Sequence, residues 1–326
     1  STMTMGTMVA ISSYSWMTMW MGLEINLLSI IPLMSDSKNT FSTESSLKYF
    51  ITQAMASMLL LMTVLTSFLS KEFIVPQMNS SLNSMMSTAL MIKMGASPFH
   101  FWFPDVMEGL NWMNSLIMLT WQKIAPMILF ININPKIEIT IMVILSCMIT
   151  STINSMNQTS LRKLMTYSSI NHIGWLLAST LISSTMWLIY FSIYTILNTT
   201  LILSFWHTNT YFLPQLSNIK SKNKILWMTI MSNLMSLGGL PPFLGFIPKL
   251  MVIFTLSKHL PLLTLIMVVS SPIMVFVYVR VMLTASMMNS LEPKMSMNTP
   301  NKTLTVLMST LSLTMTLTYM QILILV

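Results

Sequence analysis

Charge is scarce in this sequence. Only 7% of its 326 residues are Asp, Glu, Lys or Arg, while 54% are hydrophobic and the mean hydropathy is +0.71. A soluble domain carries about 25% charged residues because its surface faces water. The shortage excludes that class and points to an integral membrane protein made of helices. Cysteine is rarer still, with Cys147 in "VILSCMIT" the only one. One thiol rules out a disulfide framework and argues against a cysteine-held metal or iron–sulfur site in this chain. Its apolar setting reads as an inert buried thiol.

Recognisable soluble chemistries are missing too. There is no P-loop, G-x-G-x-x-G, H-E-x-x-H or G-x-S-x-G pattern, and four scattered histidines have no metal-ligand spacing. The chain alone is therefore expected to bind no metal, nicotinamide, flavin or iron–sulfur cluster. A net charge of +8 would suggest nucleic acid in a soluble protein. Here the basic residues are scattered or lie in loops, with no basic–aromatic stripe, so they report topology and no nucleic-acid partner is expected. The first segment lacks a basic leader and a small-residue cleavage site, so no cleavable signal is expected.

Methionine, by contrast, is abundant at 38 residues. Its flexible thioether suits gaps between packed helices, which accounts for nearly all of them. A genetic code reading an isoleucine codon as Met would inflate the count in the same way, a hypothesis the coding DNA settles.

Polar breaks divide the chain into about eleven apolar spans, near 2–15, 17–34, 45–69, 82–104, 111–133, 137–156, 161–183, 186–208, 225–257, 261–288 and 303–325. A helix needs about 20 residues to cross the hydrocarbon core. The first span is short for that: its N-terminus is abbreviated, or it tilts and stops short. Loops after even spans hold Lys38, Arg162, Lys163, Lys220, Lys222, Lys224, Lys294 and Lys302; loops after odd spans hold Lys71, Lys136 and Lys258. This bias puts the N-terminus and the even loops on the positive-inside face, and the C-terminus opposite.

Two stretches are twins. "GASPFHFWFP" (95–104) and "GLPPFLGFIP" (239–248) share G-x-x-P-F-x-x-x-x-P, 144 residues apart. Proline removes a backbone donor and clashes with the preceding turn, so each copy is expected to break a helix. Broken helices persist at membrane depth only against protein or a wet cavity. The copies fall in spans four and nine, an odd offset that gives them opposite membrane directions, as in inverted repeats. The predicted organisation is a first five-helix repeat over 1–134 (break near 93–104) and a second over 135–290 (break near 238–249). A loop and C-terminal helix over 291–326 follow.

Five charges fall well inside spans: Glu24, Lys93, Lys123, Lys249 and Arg280. Each costs about 2.5–3.5 kcal/mol at the bilayer centre even on the lenient scale, which makes a functional role the first hypothesis. Glu24 sits in "WMGLEINLL"; the plainer alternative is a glutamate at an edge. Lys93 precedes the first break, and its flanks "TALMI" and "MGASP" disfavour snorkelling. Lys123, in "LTWQKIAP", lies three residues before Pro126, and Lys249 directly follows the second break in "GFIPKLMV". Arg280 does not readily release its proton and reads as a structural pair or a snorkel.

Desolvation makes a buried lysine easier to deprotonate, and a nearby carboxylate reverses this. Two unit charges 4 Å apart interact by roughly 4 kcal/mol at an effective dielectric of 20. A row of lysines joined by water is thus a proton relay that a moving carboxylate can drive. His100, just past the first proline, extends this path or is a satisfied core histidine. His172 in "SSINHIGW" stands between the same alternatives, and His207 and His259 read as interfacial. Lys48 is a candidate whose alternative is an i,i+4 pair with Glu44.

These residues sit in familiar company. "WMGLEINLLS", "STESSLKYF", "KMGASPFHFWFPDVMEG", "LTWQKIAP", "NQTSLRKLMTYSSINHIGW" and "SLGGLPPFLGFIPK" make the sequence resemble the mitochondrially encoded chain-2 family of NADH–ubiquinone oxidoreductase, respiratory complex I. The resemblance covers nearly the whole chain, and the Met-rich composition looks like that of an invertebrate mitochondrial product.

The resemblance implies an antiporter-like fold: all-α, two inverted five-helix repeats with broken helices, and a C-terminal helix. Animal members lack three N-terminal helices of bacterial counterparts, in keeping with about eleven spans. It also implies a relay in which Glu24 and Lys93 form the gating pair, Lys123 links the halves and Lys249 leads toward the exit, with Lys48 and His100 on the polar axis. The implied partners are other membrane-arm and accessory subunits and phospholipids such as cardiolipin. NADH, FMN, iron–sulfur clusters and ubiquinone belong to other subunits. The implied location is the mitochondrial inner membrane, N-terminus toward the matrix and C-terminus toward the intermembrane space. Two other readings stand beside this one: a free-standing cation/proton antiporter, and a structural spacer whose lysines only maintain hydration and packing.

Overall fold

The computed structural model describes residues 1–36, 39–71, 80–222 and 224–287. Among them all regular structure is helical, apart from an isolated extended bridge between Ser160 and Phe212. The chain forms two compact units, one of Ser1–Cys147 and a second that begins at Met148. The first contains α1 (Thr2–Ser12), α2 (Trp16–Met34), α3 (Thr40–Lys71), α4 (Ser80–Met94), α5 (Trp102–Gly109), α6 (Trp112–Leu119) and α7 (Trp121–Ile133). The division falls within α8 (Ile137–Ser155). The second unit continues with α9 (Leu161–Thr180), α10 (Ser184–Thr208), α11 (Gln215–Lys222), α12 (Lys224–Gly238), α13 (Phe246–Leu256) and α14 (Pro261–Met287).

Local chemistry sets these limits. The Ser15 and Ser183 hydroxyls accept from the Thr18 and Met186 amides at 3.3 Å, capping the starts of α2 and α10. Asn134 and Asn209 end α7 and α10 in the left-handed conformation, and Pro261 opens α14 at the position where its missing N–H costs nothing.

This is an all-helical membrane protein. Among the described residues, six segments are long and apolar enough to cross a bilayer: Trp16–Met34, Thr40–Leu69, Trp112–Ile133, Ile137–Ser155, Ser184–Thr208 and Pro261–Ser286. The outer face of α3 shows why. Met55, Met58, Met62, Leu65 and Leu69 recur at helical spacing and are all exposed, an apolar stripe that water would not tolerate.

The other expected spans differ for identifiable reasons. α1 has 11 residues. α9 is less apolar because it is buried on all sides, with every residue from Ser168 to Ser179 enclosed by protein, so polar side chains can point at protein. The segments 82–104 and 225–257 are each split in two. The segment 303–325, and with it the domain 291–326, lies outside the described residues. The segment "QLSNIKSK" forms the short helix α11 although it shows no apolar periodicity.

Both twin motifs do break a helix, but glycine rather than proline ends it. Gly95 and Gly239 adopt φ of 73° and 84°, a left-handed conformation that only glycine enters without strain. At the first, the Gly95 and Ala96 amides donate back to Ile92 and Met91. At the second, Gly239 and Leu240 donate to Ser236 and Met235. Each is a Schellman closure, which satisfies terminal carbonyls that would otherwise be orphaned. The prolines come afterwards and keep the chain from resuming at once. The offset of 144 residues between the motifs also separates the two helix ends, Met94 and Gly238, and the two restarts, Trp102 and Phe246.

Candidate functional site

In the first unit the chemistry gathers around the α4–α5 break. Lys93 lies in the last turn of α4, where a cation suits the carbonyl end of the helix, and is 7% exposed. It lines a small cavity together with Asn26, Tyr49, Gln53, Gln122 and Pro126. The cavity, at ≈ 20 Å³, is on the scale of a single water. Gln53 donates to the backbone carbonyl of Lys93 at 3.3 Å. Asn26 of α2 and Gln122 of α7 bond each other reciprocally, each amide donating to the other's oxygen at 3.0 Å.

Glu24 lies two residues before Asn26 and within Coulombic reach of Lys93. It is half-buried, and its Oε1 has no hydrogen-bond partner among the described residues. No direct ion pair joins Glu24 to Lys93. The pair therefore attracts across a gap.

Lys123 is 2% exposed and stands 5.6 Å from the centroid of Phe103, in the first turn of α5. Cys147 is buried, as its setting predicted, and it also holds the break: its sulfur accepts from the Ser97 amide at 3.2 Å. The neighbouring Ser146 hydroxyl donates to the Ser97 carbonyl at 2.9 Å. Two consecutive residues of α8 thus satisfy both polar groups of a residue that has left the helix. His100 is buried in the same loop and stacks on Phe101, with its Nδ1 unpartnered among the described residues.

In the second unit, Lys249 lies in the first turn of α13 and is 3% exposed. Its ammonium donates to the carbonyls of Leu237 and Gly238, at 3.0 and 2.7 Å, and lies 5.8 Å from the Trp175 ring centroid. A Cβ on Gly239 would meet Lys249 Cδ at 2.8 Å and Nζ at 3.0 Å, so glycine serves there both for its backbone and for the lysine's approach. His172 on α9 pairs its Nδ1 with the Tyr190 hydroxyl at 2.9 Å and packs against the Tyr194 ring. Tyr194 bonds Asn198 and Ser169, and Tyr278 bonds Ser168, which makes a buried polar cluster around α9.

Lys48 and Arg280 fall outside these sites. Lys48 pairs with Glu44 at 2.8 Å, and both side chains are exposed. Arg280 donates to the Met156 carbonyl at 2.9 Å, just past the end of α8, a structural bond of the kind its chemistry predicted. No group of three His, Cys, Asp or Glu capable of holding a metal occurs among the described residues.

The family described as NADH:quinone oxidoreductase/Mrp antiporter, TM, matches residues 13–275. The chain belongs to this family. It is similar to the NADH-ubiquinone oxidoreductase chain 2 of Anopheles gambiae, 45% identical over 287 residues that cover 87% of this chain and 84% of the relative. The protein of that name from Locusta migratoria is 42% identical over 293 residues, covering 88% and 84%. Among solved structures, a chain of respiratory complex I from Thermus thermophilus superposes with a TM-score of 0.85 at 19% identity, over 97% of this chain and 75% of that one. A chain of the Mrp complex from Dietzia sp. reaches 0.79 at 17%, over 91% and 61%. These structural likenesses establish an antiporter-like fold.

In this member of the NADH:quinone oxidoreductase/Mrp antiporter family, the charges are legible in the sequence and their neutral partners are not. Gln53, Gln122, Ser146 and the hydrogen-bonding role of Cys147 come from the folded chain. Asn26 carried a signal, being the one polar neighbour of Glu24 in an apolar run.

Proposed function

We propose that this chain is a core membrane-arm subunit of a proton-pumping NADH:ubiquinone oxidoreductase. It relays protons through Glu24, Lys93, Lys123 and Lys249, with Lys48, His100 and His172 secondary, while electrons pass from NADH to ubiquinone elsewhere in the complex. The observation that carries this reading is the placement of three lysines, each under a tenth exposed, beside interruptions of membrane helices. A spacer would be cheaper to build from apolar side chains, since each buried charge costs several kcal/mol.

Glu24 and Lys93 supply the coupling. They attract without touching, so a small movement of α2 relative to α4 changes how strongly the carboxylate holds a proton on the lysine. The names of the relatives at 42–45% identity favour a complex subunit over a free-standing antiporter.

The wider reading follows the same plan. The chain has about eleven spans in two inverted five-helix repeats, 1–134 and 135–290, with a loop and C-terminal helix over 291–326. It lies in the mitochondrial inner membrane, N-terminus toward the matrix and C-terminus toward the intermembrane space. Its partners are other membrane-arm and accessory subunits and phospholipids such as cardiolipin. NADH, FMN, iron–sulfur clusters and ubiquinone are bound by other subunits.

Native electrophoresis followed by mass spectrometry tests the assignment: the chain should co-migrate with NADH-oxidising activity. Migration alone, with Na⁺ or K⁺ exchanged for protons in liposomes, would support the antiporter instead. Wild-type pumping by an assembled Lys93→Met complex would leave only the spacer.

A further inference from the structure

The Asn26–Gln122 pair is the least expected feature of the first unit. Neither residue is charged, yet each spends its side-chain amide on the other across two helices, at 3.0 Å in both directions. Both line the cavity that holds Lys93. While paired, the two amides satisfy each other. Once parted, each offers a donor and an acceptor that must find water.

The backbone around Gln122 is built to let that happen. Thr120, with φ −114° and ψ −70°, interrupts the helix between α6 and α7 two residues earlier. Pro126, four residues later, has no N–H to give the Gln122 carbonyl and also lines the cavity. Residues 121–125 are therefore a single turn held between two discontinuities. That turn carries Lys123 next to Gln122, while α2 carries Glu24 two residues from Asn26. A rotation of either element that parts the amides also moves a relay charge.

We propose that Asn26 and Gln122 form a latch on the Lys93 cavity, and that its opening admits a water bridging Lys93 to the parted amides. Neutral amides do not themselves take up protons near pH 7, so both are positioning residues that place water for the lysine. This rests on the relay reading above and adds two residues to it.

The test uses the assembled complex in sealed vesicles, with proton translocation per electron and its pH profile as readouts. Asn26→Leu, which removes both hydrogen bonds of the pair, should slow translocation by roughly tenfold or more. The double variant N26L/Q122L, whose apolar side chains can pack together, should stay equally slow and shift the pH optimum. The exchanged pair N26Q/Q122N, which retains reciprocal bonding, should recover most of the rate. Wild-type translocation and pH profile in N26L/Q122L would show that the pair merely packs, and would overturn the latch. An exchanged pair that assembles yet remains slow would overturn it as well, and decides the matter should the leucine variants fail to assemble. Lys93→Met separates the two levels: wild-type pumping there retires the relay itself. A slow Lys93→Met beside a fast N26L/Q122L retires the latch alone.

Discussion

The Lys249 ammonium stands 2.7 Å from the carbonyl of Gly238, so the charge at the start of α13 closes the carbonyl end of α12. The first break is wired differently. By the 144-residue offset, the position matching Lys249 is Asp105 and the position matching Lys93 is Leu237. A carboxylate in the first turn of α5 suits the amide end of a helix, whereas a lysine in that place suits it only if its charge is delivered elsewhere. Lys249 delivers it to the preceding helix. The same backbone device thus holds a lysine before the break in one unit and after it in the other.

Substitution at Lys249 separates capping from proton transfer. Lys249→Met leaves two buried carbonyls without a charged donor, and should cost about 1.5–3 kcal/mol of stability. Lys249→Arg keeps a cation and its donors but does not release a proton. Thermal inactivation and translocation, measured on both assembled complexes, should show the arginine variant nearly as stable as wild type and still deficient in pumping. Arginine that pumps normally would confine Lys249 to a structural role.

The two break glycines should differ in sensitivity. A left-handed backbone costs a residue with a Cβ about 1–2 kcal/mol, which both Gly95→Ala and Gly239→Ala incur. At Gly95 the nearest contact of the new methyl is the Phe103 ring at 3.2 Å, whereas at Gly239 it is Lys249 itself at 2.8 Å. Gly239→Ala should therefore displace the lysine as well as strain the turn. Quantified by native electrophoresis and translocation, Gly239→Ala should be the more damaging of the two.

Much of this arrangement could be read from residues alone, and the limit has a physical cause. The apolar runs that became α2, α3, α8, α10 and α14 are unmistakable, and a buried lysine announces itself by its cost. The side of a helix facing protein is hidden, because lipid and core are equally apolar and no period distinguishes them. Gln53, Gln122 and Ser146 gain meaning only from partners 40, 96 and 49 residues away. The prolines at 98 and 242 marked the breaks, yet the residues that end the helices are the glycines three places earlier, whose conformation depends on φ rather than on composition.

Cys147 provides a test of how the first break is held. Its sulfur accepts the Ser97 amide, a buried donor outside any helix. Cys147→Ser retains an acceptor of similar shape and should be nearly neutral. Cys147→Val fills the space but leaves the amide unpaired, at a cost of about 1–3 kcal/mol. Thermal inactivation of the two complexes distinguishes them, and equal stability would mean that the thiol contributes packing alone.

Glu24 and Lys93 attract each other without forming an ion pair, and a double-mutant cycle measures whether that attraction drives transport. Glu24→Gln removes the carboxylate and Lys93→Met removes the cation; each alone should depress translocation with assembly intact. If the two act as one element, nothing remains for the second substitution to disrupt, and the double variant should be no slower than the slower single. The coupling in such cycles amounts to about 0.5–3 kcal/mol for residues sharing an interaction. Rates that multiply instead, each substitution contributing its full effect in the presence of the other, would show that Glu24 acts on the proton path independently of Lys93.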